Sequence, residues 1–369
     1  MCPLIGKQIL VGISNHFIPC EHMVIENDAC FHGKKLINYD PVNWNRTEFP
    51  TDLDQVAELD ELKNISYCKT CTAKNNLSEF EIKTKKLMIF FSVSNKCNLS
   101  CRMCNPIQSH NLKKEYNIFE NENLLDEVKD LTGYYFNDDY SISVSDDHYD
   151  WIFNNGHKIG GISVTGGEPL YNKKYLNLLK HFDKQNYAKD INLRIYTNGT
   201  LFNEENIDLL NKFKNVYLYV SIDGVYDTYE YIRDGSDFNL LQNSVDLLHK
   251  KLNFRELHLV MTVNVINVFN IKDFQTWAER YDNIELNYIE VYPNYRGIGL
   301  QNLSENLIDD LIQNIDSPII HNMLNRAKSK PKNKRKLLRE LKIFDKVKNQ
   351  NYHNVASPKL LKYLDETYC

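Results

Sequence analysis

Long apolar runs are missing from this sequence of 369 residues. A membrane-spanning helix needs about 18 consecutive apolar residues, and no stretch of the chain approaches that length. The first residues, MCPLIGKQIL, also lack the apolar core and the small-residue cleavage site of a secretory signal. We therefore expect a cytoplasmic protein with no membrane partner.

An excess of positive charge is missing too. The formal net charge is −5, so no overall field attracts nucleic acid and we expect no such partner. Only the segment 328–342, KSKPKNKRKLLRELK, is locally basic, and we interpret it as a linker that leads into a solvated helix face, with contact to a polyanion as the alternative. The motifs GxxxxGK[ST], HExxH and GxSxG are also absent, so nothing points to phosphoryl or acyl transfer.

What the sequence does contain is a repeated alternation of strands and helices. With 42% hydrophobic residues the chain can bury a substantial core. Six β-rich runs alternate with segments of helical period: KLMIFFSVS, HKIGGISVTGG, INLRIYTNG, NVYLYVSIDG, ELHLVMTVN and NIELNYIEVYP. Such repetition predicts an α/β fold with a parallel sheet and helices outside. We expect a partial (β/α)6 TIM-type barrel over residues 81–300.

Three regions depart from this rhythm. Residues 1–80 lack the alternation and carry the second main group of cysteines, which predicts a small N-terminal cysteine-rich module. The acidic, Asn- and Tyr-rich stretch at about 116–156 predicts an insertion, either a cover over the barrel mouth or a tolerated surface loop. Residues 301–369 predict a helical C-terminal tail.

The unusual residues fall repeatedly where a predicted strand ends. In a barrel of parallel strands, the loops at the carboxyl ends build the active site. The first strand runs into Cys97-Asn-Leu-Ser-Cys101-Arg-Met-Cys104, and the next three run into GGEP at 166–169, TNG at 197–199 and SIDG at 221–224. One polar loop after each strand is hard to explain by turn formation alone.

The three cysteines after the first strand suggest an open metal site. Thiolates are soft ligands for iron–sulfur clusters and zinc, and a cubane cluster takes four of them. Three on one loop leave one iron without a protein ligand, and an open coordination position is what catalysis needs. The alternative is a zinc knuckle whose fourth ligand is remote, such as His110.

These residues resemble a known family. CNLSCRMC is similar to the CxxxCxxC signature of radical S-adenosylmethionine (SAM) enzymes, and the resemblance extends over about residues 86–300. It implies a partial barrel in which Cys97, Cys101 and Cys104 bind a [4Fe-4S] cluster whose fourth iron SAM chelates. It also implies reductive cleavage of SAM to a 5′-deoxyadenosyl radical that abstracts hydrogen. Met103 stands where many members have an aromatic residue, and a methionine can still pack there.

The resemblance extends to other SAM contacts. Gly166, Gly167 and Glu168 resemble the family's GGEP, which receives the methionyl amino group. Arg233 resembles an arginine that contacts the SAM carboxylate, although a surface ion pair with Asp234 or Asp237 is the alternative. The remaining expected contacts are strand-end polar residues: Thr197, Asn198, Ser221, Asp223, Asn264 and Tyr292.

A second cysteine group lies before the barrel. Cys20, Cys30, Cys68 and Cys71 supply enough thiolates for a closed site, either an auxiliary [4Fe-4S] cluster or tetrahedral zinc. Cys2 or His32 is an alternative ligand, and Cys369 is expected to be a free thiol. The segment is similar to the twitch and SPASM modules of radical SAM proteins, which carry auxiliary clusters.

The resemblance also bears on substrate and partners. Relatives with such modules often act on a peptide or protein, so we expect a peptide-modifying oxidoreductase, with flavodoxin or ferredoxin as reductant. A small molecule or nucleotide is the alternative substrate. A non-enzymatic zinc-binding interaction protein is the alternative from another class.

Overall fold

Strands and helices alternate along the middle of the chain. The computed structural model describes residues 86–106, 108–133, 146–291 and 296–366, together with the backbone of four short strands before residue 31. These four are β1 Gln8–Val11, β2 Phe17–Ile18, β3 Ile25–Glu26 and β4 Ala29–Cys30. The six predicted strands are present as β5 Leu87–Ser92, β6 Ile159–Thr165, β7 Asn192–Thr197, β8 Asn215–Ser221, β9 Glu256–Val263 and β10 Glu285–Glu290.

The six strands lie side by side in chain order from β5 to β10, and every neighbouring pair is parallel. Parallel neighbours need crossover connections, which helices supply here. The predicted α/β architecture, a partial (β/α)6 TIM-type barrel, is therefore confirmed. Its carboxyl ends all lie at one rim, where the predicted site residues follow.

Twelve α-helices are described over these ranges. Between the strands of the barrel they are α1 Lys113–Asn121, α2 Leu125–Thr132, α3 Asp146–Asn154, α4 Lys173–Lys184, α5 Glu204–Leu210, α6 Tyr226–Ile232, α7 Phe238–Lys251 and α8 Ile271–Ala278. The C-terminal helices are α9 Glu305–Asn314, α10 Pro318–Lys328, α11 Lys334–Lys348 and α12 Pro358–Asp365. Side-chain caps begin several of them, because Asn172, Asp237 and Asn333 each accept a backbone N–H of the first turn.

The two faces of the sheet differ in chemistry. Aliphatic side chains such as Leu193, Ile195 and Leu218 belong to the main apolar core that the helices cover. Because side chains alternate along a strand, their neighbours Arg194, Tyr196 and others point to the opposite side, which we call the interior face. This face is more polar and partly open, since Ile289 on β10 is 51% exposed.

The N-terminal strands extend the sheet beyond the barrel. β1 pairs parallel to β5, and β2 pairs antiparallel to β1, so the sheet order runs from β10 to β2. β3 and β4 form a separate two-stranded antiparallel sheet. The boundary of the N-terminal module stays a prediction, and Cys2, Cys20, His32, Cys68, Cys71 and Cys369 lie outside the described residues.

The C-terminal helices pack against the predicted insertion. Phe119 and Val128, from α1 and α2, form an apolar cluster with Ile343 and Phe344 of α11. The Phe119 and Phe344 rings meet edge to face, with centroids 5.6 Å apart. The solvated-face interpretation of 328–342 is therefore incomplete, because α11 also has a buried face. Among the described helices, none is long and apolar enough to cross a membrane.

Candidate active site

The loop after β5 brings three thiols to the rim of the barrel. We call Cys97–Cys104 the cysteine loop. Cys97 is buried, Cys101 and Cys104 are partly buried, and all three are free thiols. The GGEP turn after β6 packs against the segment that leads into this loop, because Gly167 N–H donates to Ser94 O over 2.6 Å. Glu168 N–H likewise donates to Lys96 O over 2.8 Å, so the two strand ends are joined by backbone bonds.

Two glycines make this joint possible. A Cβ at Gly167 would lie 2.2 Å from Lys96 O, and one at Gly166 would lie 2.6 Å from Ser94 O. Gly166 also has φ +122, a backbone conformation that side chains disfavour. The glycines are thus required by the approach of the cysteine loop, and their predicted contact with SAM stays a prediction.

Glu168 is a buried junction between the ends of β6 and β7. Its side chain is 0% exposed, and its carboxylate accepts from Leu170 N–H at 3.1 Å, Thr197 Oγ1 at 2.8 Å and Asn198 N–H at 2.7 Å. Burial raises the pKa of Glu168, and these three hydrogen bonds act in the opposite direction. A carboxylate offers about four acceptor positions, so one remains for a further donor such as an ammonium group.

Asn198 connects Glu168 to the first cysteine of the loop. Its Nδ2 donates to Asn98 Oδ1 at 2.8 Å and lies 3.9 Å from Cys97 Sγ. Its Oδ1 accepts from Thr200 N–H at 3.0 Å. The predicted residue Asn198 therefore contacts a candidate cluster ligand directly.

Arg233 and Asp223 form a buried ion pair beside the second cysteine. Arg233 NH2 lies 2.8 Å from Asp223 Oδ2, and Arg233 NH1 lies 3.9 Å from Cys101 Sγ. Burial works against the charge on Arg233, but Asp223 and Cys101 outweigh it, so its pKa is raised. The alternative of a surface pair is wrong, because Asp234 binds Ser100 and Asp237 caps α7.

Two further predicted residues lie at the same rim. Asn264 is buried and its Nδ2 lies 3.0 Å from the Met103 thioether sulfur, next to the last cysteine. Ser221, at the end of β8, alternates with the core residue Val220 and so belongs to the interior face. Tyr292 lies outside the described residues.

Burial disfavours the thiolate forms of the three cysteines. Burial raises the pKa of Cys97 to about 12 and also raises the pKa values of Cys101 and Cys104. The thiolate forms therefore need a compensating positive centre, which bound iron provides. The donor set of three soft sulfurs, two of them touched by fixed N–H donors, fits a [4Fe-4S] cluster.

The zinc alternative through His110 has a specific obstacle. Cys97 N–H donates to His110 Nδ1 at 3.2 Å, so that nitrogen uses its lone pair internally. Coordinating zinc would require the ring to give up this bond or to change tautomer. Over the described ranges, no group of three or more His, Cys, Asp or Glu side chains is arranged to hold one metal ion.

Arg233 offers a test of fit for SAM itself. Its Nε is buried and has no hydrogen-bond partner among the described residues. An unpaired buried donor is costly, and a carboxylate is the acceptor that a guanidinium suits best. The orphaned donor therefore fits the predicted contact with the SAM carboxylate.

Several important residues at the site were missed by sequence reasoning. The buried side chains of Arg296, Asp345 and Lys348 bind the cysteine loop or its Arg102 from behind. Glu340 is buried too and pairs with Arg296. The sequence did contain a signal, namely the charged residues of the basic segment 328–342 and of the stretch that follows it. Nothing in the spacing of these charges distinguishes an inward face from a solvated one, so only the packing of α11 reveals it.

A row of stacked rings crosses the interior face below the rim. Tyr196 stacks on Tyr219 with centroids 4.7 Å apart, and Tyr219 stacks on His258 at 4.3 Å. The strand register explains the row, because Tyr196 pairs with Tyr219 and Tyr219 with His258. His258 Nδ1 lies 2.8 Å from Asn287 Nδ2, which continues the row onto β10.

Known proteins match this chain over part of its length. A family model described as the Radical SAM superfamily matches residues 91–280. The chain is 27% identical over 254 residues to the radical SAM cyclopropyl synthase TigE of Paramaledivibacter caminithermalis, covering 67% of this chain and 51% of that protein. It is 26% identical over 208 residues to GTP 3′,8-cyclase of Clostridium botulinum, covering 55% of each. The chain thus spans about half the length of the curated relatives it matches.

Solved structures show weaker likenesses. The structure of anSMEcpe with bound AdoMet aligns with a TM-score of 0.40 and 18% identity, covering 62% of each chain. Streptococcus suis SuiB bound to the precursor peptide SuiA aligns with a TM-score of 0.35 and 15% identity, covering 73% of this chain and 54% of that one.

Proposed function

This chain belongs to the radical SAM superfamily, and we propose that it cleaves SAM reductively at a [4Fe-4S] cluster held by Cys97, Cys101 and Cys104. The observation that carries the proposal is the convergence of three free thiols with a buried Arg233–Asp223 pair on one rim. When cluster and SAM are bound, the chemistry they supply is one-electron cleavage to a 5′-deoxyadenosyl radical that abstracts hydrogen from the substrate. The remaining tasks belong to the protein.

The chain's own residues hold and orient SAM in this proposal. Arg233 directs its unpaired Nε donor at the carboxylate of SAM, while Asp223 fixes the guanidinium. Glu168 keeps one acceptor position for the amino group and locks the turn that carries Gly166 and Gly167. These contacts are expected to fix SAM in one orientation before any bond breaks, which is the usual contribution of positioning groups.

The other predicted contacts take supporting roles. Asn198 is expected to donate to the Cys97 sulfur in the loaded protein, as hydrogen bonds to cluster sulfurs tune iron–sulfur sites. Thr197 uses its hydroxyl for Glu168 and Gly199, so we assign it to the junction. Ser221 faces the interior and remains our candidate for the ribose hydroxyls, and Asn264 with Met103 our candidate for the adenine side.

A peptide or protein side chain is the substrate that the interior face supports best. On the described strands, Arg194 is the only Lys or Arg that the alternation places on this face, and it lies 6.0 Å from the Phe90 ring. Glu256 and Glu285 both lie beside His258. A triphosphate needs several cations, whereas stacked tyrosines and an exposed Ile289 suit an apolar or aromatic side chain.

A nucleotide is the second candidate, because one set of curated relatives is named GTP 3′,8-cyclase. Similarity to these relatives does not by itself choose between the two substrate classes, since another relative is named a cyclopropyl synthase. The charge of the interior face is what ranks the peptide first. We propose accordingly that the chain is an oxidoreductase of the peptide-modifying class.

The N-terminal cysteines are proposed to hold a second metal centre. Cys20, Cys30, Cys68 and Cys71 would hold an auxiliary [4Fe-4S] cluster, with zinc as the alternative metal. A site closed by four thiolates would serve electron relay or structure. A flavodoxin or ferredoxin would reduce the cluster at the barrel.

The test is SAM cleavage by anaerobically reconstituted protein. After reduction with dithionite, it should convert SAM to 5′-deoxyadenosine, and Cys101→Ala should abolish this conversion. Short synthetic peptides that together contain all standard side chains should accelerate the conversion and change in mass, whereas GTP should do neither. Protein that contains iron but leaves SAM intact contradicts the proposal, and consumption of GTP replaces the peptide by a nucleotide.

A further inference from the structure

Basic side chains bind the back of the cysteine loop, on the side of α11. Three backbone carbonyls of the loop, those of Ser100, Arg102 and Met103, each accept from a buried cation. The cations are Lys348, the last residue of α11, and Arg296, which is ion-paired to the middle of α11. We call these two residues the basic clamp.

Lys348 reaches the residue before the second cysteine. Its side chain is 1% exposed, and its Nζ donates to Ser100 O over 2.6 Å. Two carboxylates hold the ammonium in place, Glu115 of α1 and Asp234, the latter at 3.3 Å. Asp234 also accepts from Ser100 Oγ at 2.7 Å, so a cation and an anion meet the loop at the same residue.

Arg296 reaches the residues before the third cysteine. Its side chain is 1% exposed and pairs with Glu340 at 2.7 Å. NH2 donates to Arg102 O at 3.0 Å, and NH1 donates to Met103 O at 3.2 Å. The two members of the clamp therefore bind the loop on both sides of Cys101.

Net stability alone does not account for these cations. Buried ion pairs contribute little net stability, because desolvation offsets most of their attraction, and apolar contacts already join α11 to the barrel. Both cations bind the backbone of the same loop, which carries the three candidate cluster ligands. A positive charge near an iron–sulfur cluster favours its reduced form, since reduction adds an electron.

We propose that Lys348 and Arg296 are positioning residues that fix the cysteine loop and raise the reduction potential of its cluster, with Asp234 opposing them. This inference rests on the proposed function, because it concerns the cluster of the same site. It predicts effects of opposite sign from two neighbouring residues. Removing the cation lowers the potential, and removing the anion raises it.

The experiment compares Lys348→Met with Asp234→Asn, each reconstituted anaerobically as the full chain. Lys346→Met is the matched control, because it lies two residues away on α11, is 65% exposed and pairs only with Glu122 among the described side chains. Redox titration followed by electron paramagnetic resonance (EPR) measures the midpoint potential of the cluster. SAM cleavage by the wild type is measured in parallel.

Lys348→Met is expected to lower the ratio of reduced to oxidised cluster at a fixed potential by about tenfold, the order expected of one buried charge. For a one-electron couple this is a shift of about 59 mV. Asp234→Asn should shift the potential the other way, and Lys346→Met should leave it unchanged. In Asp234→Asn the backbone hydrogen bond between residue 234 and Ser100 remains. This variant therefore still tests the direction of the potential shift if Lys348→Met takes up no iron.

Two failures are distinguishable. If the wild type binds its cluster and cleaves SAM but the two variants shift the potential in the same direction or not at all, the electrostatic role is overturned and the proposed function stands. If the wild type takes up no iron or leaves SAM intact, the proposed function fails, and the inference fails with it.

Discussion

Replacing Gly167 by alanine is expected to displace the cysteine loop while every other predicted SAM contact keeps its side chain. The added Cβ would lie 2.2 Å from Lys96 O and 2.5 Å from Lys96 C, both backbone atoms. Carbon atoms in ordinary contact lie roughly 3.5–4.0 Å apart, so the loop and the turn must separate by on the order of 1 Å. No side chain can rotate to relieve this contact.

The expected cost has two parts. Overpacking of this kind destabilises by about 1–3 kcal/mol, so the metal-free protein still folds. A displacement of about 1 Å at a catalytic site can lower the rate by roughly 100-fold. We therefore expect Gly167→Ala to remain folded, to bind iron less completely and to form 5′-deoxyadenosine about 100-fold more slowly.

Gly235→Ala is the matched control, because Gly235 also lies against the cysteine loop. Its φ is +86, but an added Cβ would lie 3.8 Å from Asn98 O, an ordinary contact. The left-handed backbone costs about 1–2 kcal/mol, similar to the cost at Gly167, without pushing the loop. Thermal unfolding and the 5′-deoxyadenosine rate are measured for both. A Gly167→Ala protein that matches Gly235→Ala in rate refutes the reasoning.

Three other predictions concern single contacts. Glu168→Gln replaces one acceptor oxygen by an NH2 group that faces a buried N–H or O–H donor, so the free energy of unfolding should fall by about 1–3 kcal/mol. An unchanged melting temperature would contradict the role of Glu168 in joining the ends of β6 and β7. Arg233→Lys keeps a cation for Asp223 but loses the planar fork, so the Kd for SAM should rise about tenfold in equilibrium dialysis while iron content holds. A Kd for SAM equal to that of the wild type would mean that Arg233 does not contact SAM. Ile289→Arg should leave uncoupled SAM cleavage intact but abolish the acceleration by peptides, and an unchanged acceleration places the substrate elsewhere.

Much of the fold could be predicted because the strands are buried on at least one face and read as apolar runs. All six predicted strands are found, and the GGEP and TNG sequences lie at strand ends as the parallel pattern requires. The same logic brought Glu168 and Asn198 to the cysteine loop, because each follows a strand. Arg233 follows α6 instead, and its place near the loop was expected from the family resemblance alone.

The contacts behind the loop could not be predicted in the same way. Arg296 pairs with Glu340 across 44 positions, and Lys348 meets Ser100 across 248. Charged residues on a helix are ordinarily solvated, and only tertiary packing turns a charge inward. The second role of the glycines could not be predicted either, since a sequence shows that backbone must approach closely there but not that the backbone of Ser94 and Lys96 does so. Their contact with SAM stays a prediction.

The most direct measurement of the central claim is the EPR spectrum of the reduced cluster with and without SAM. Three cysteines leave one iron without a protein ligand, so adding SAM should change the spectrum, and the Cys101→Ala protein should show no such change. A spectrum of the cluster that SAM leaves unaltered means that a protein group closes the fourth position. Reconstituted protein that holds zinc and no iron contradicts the account outright.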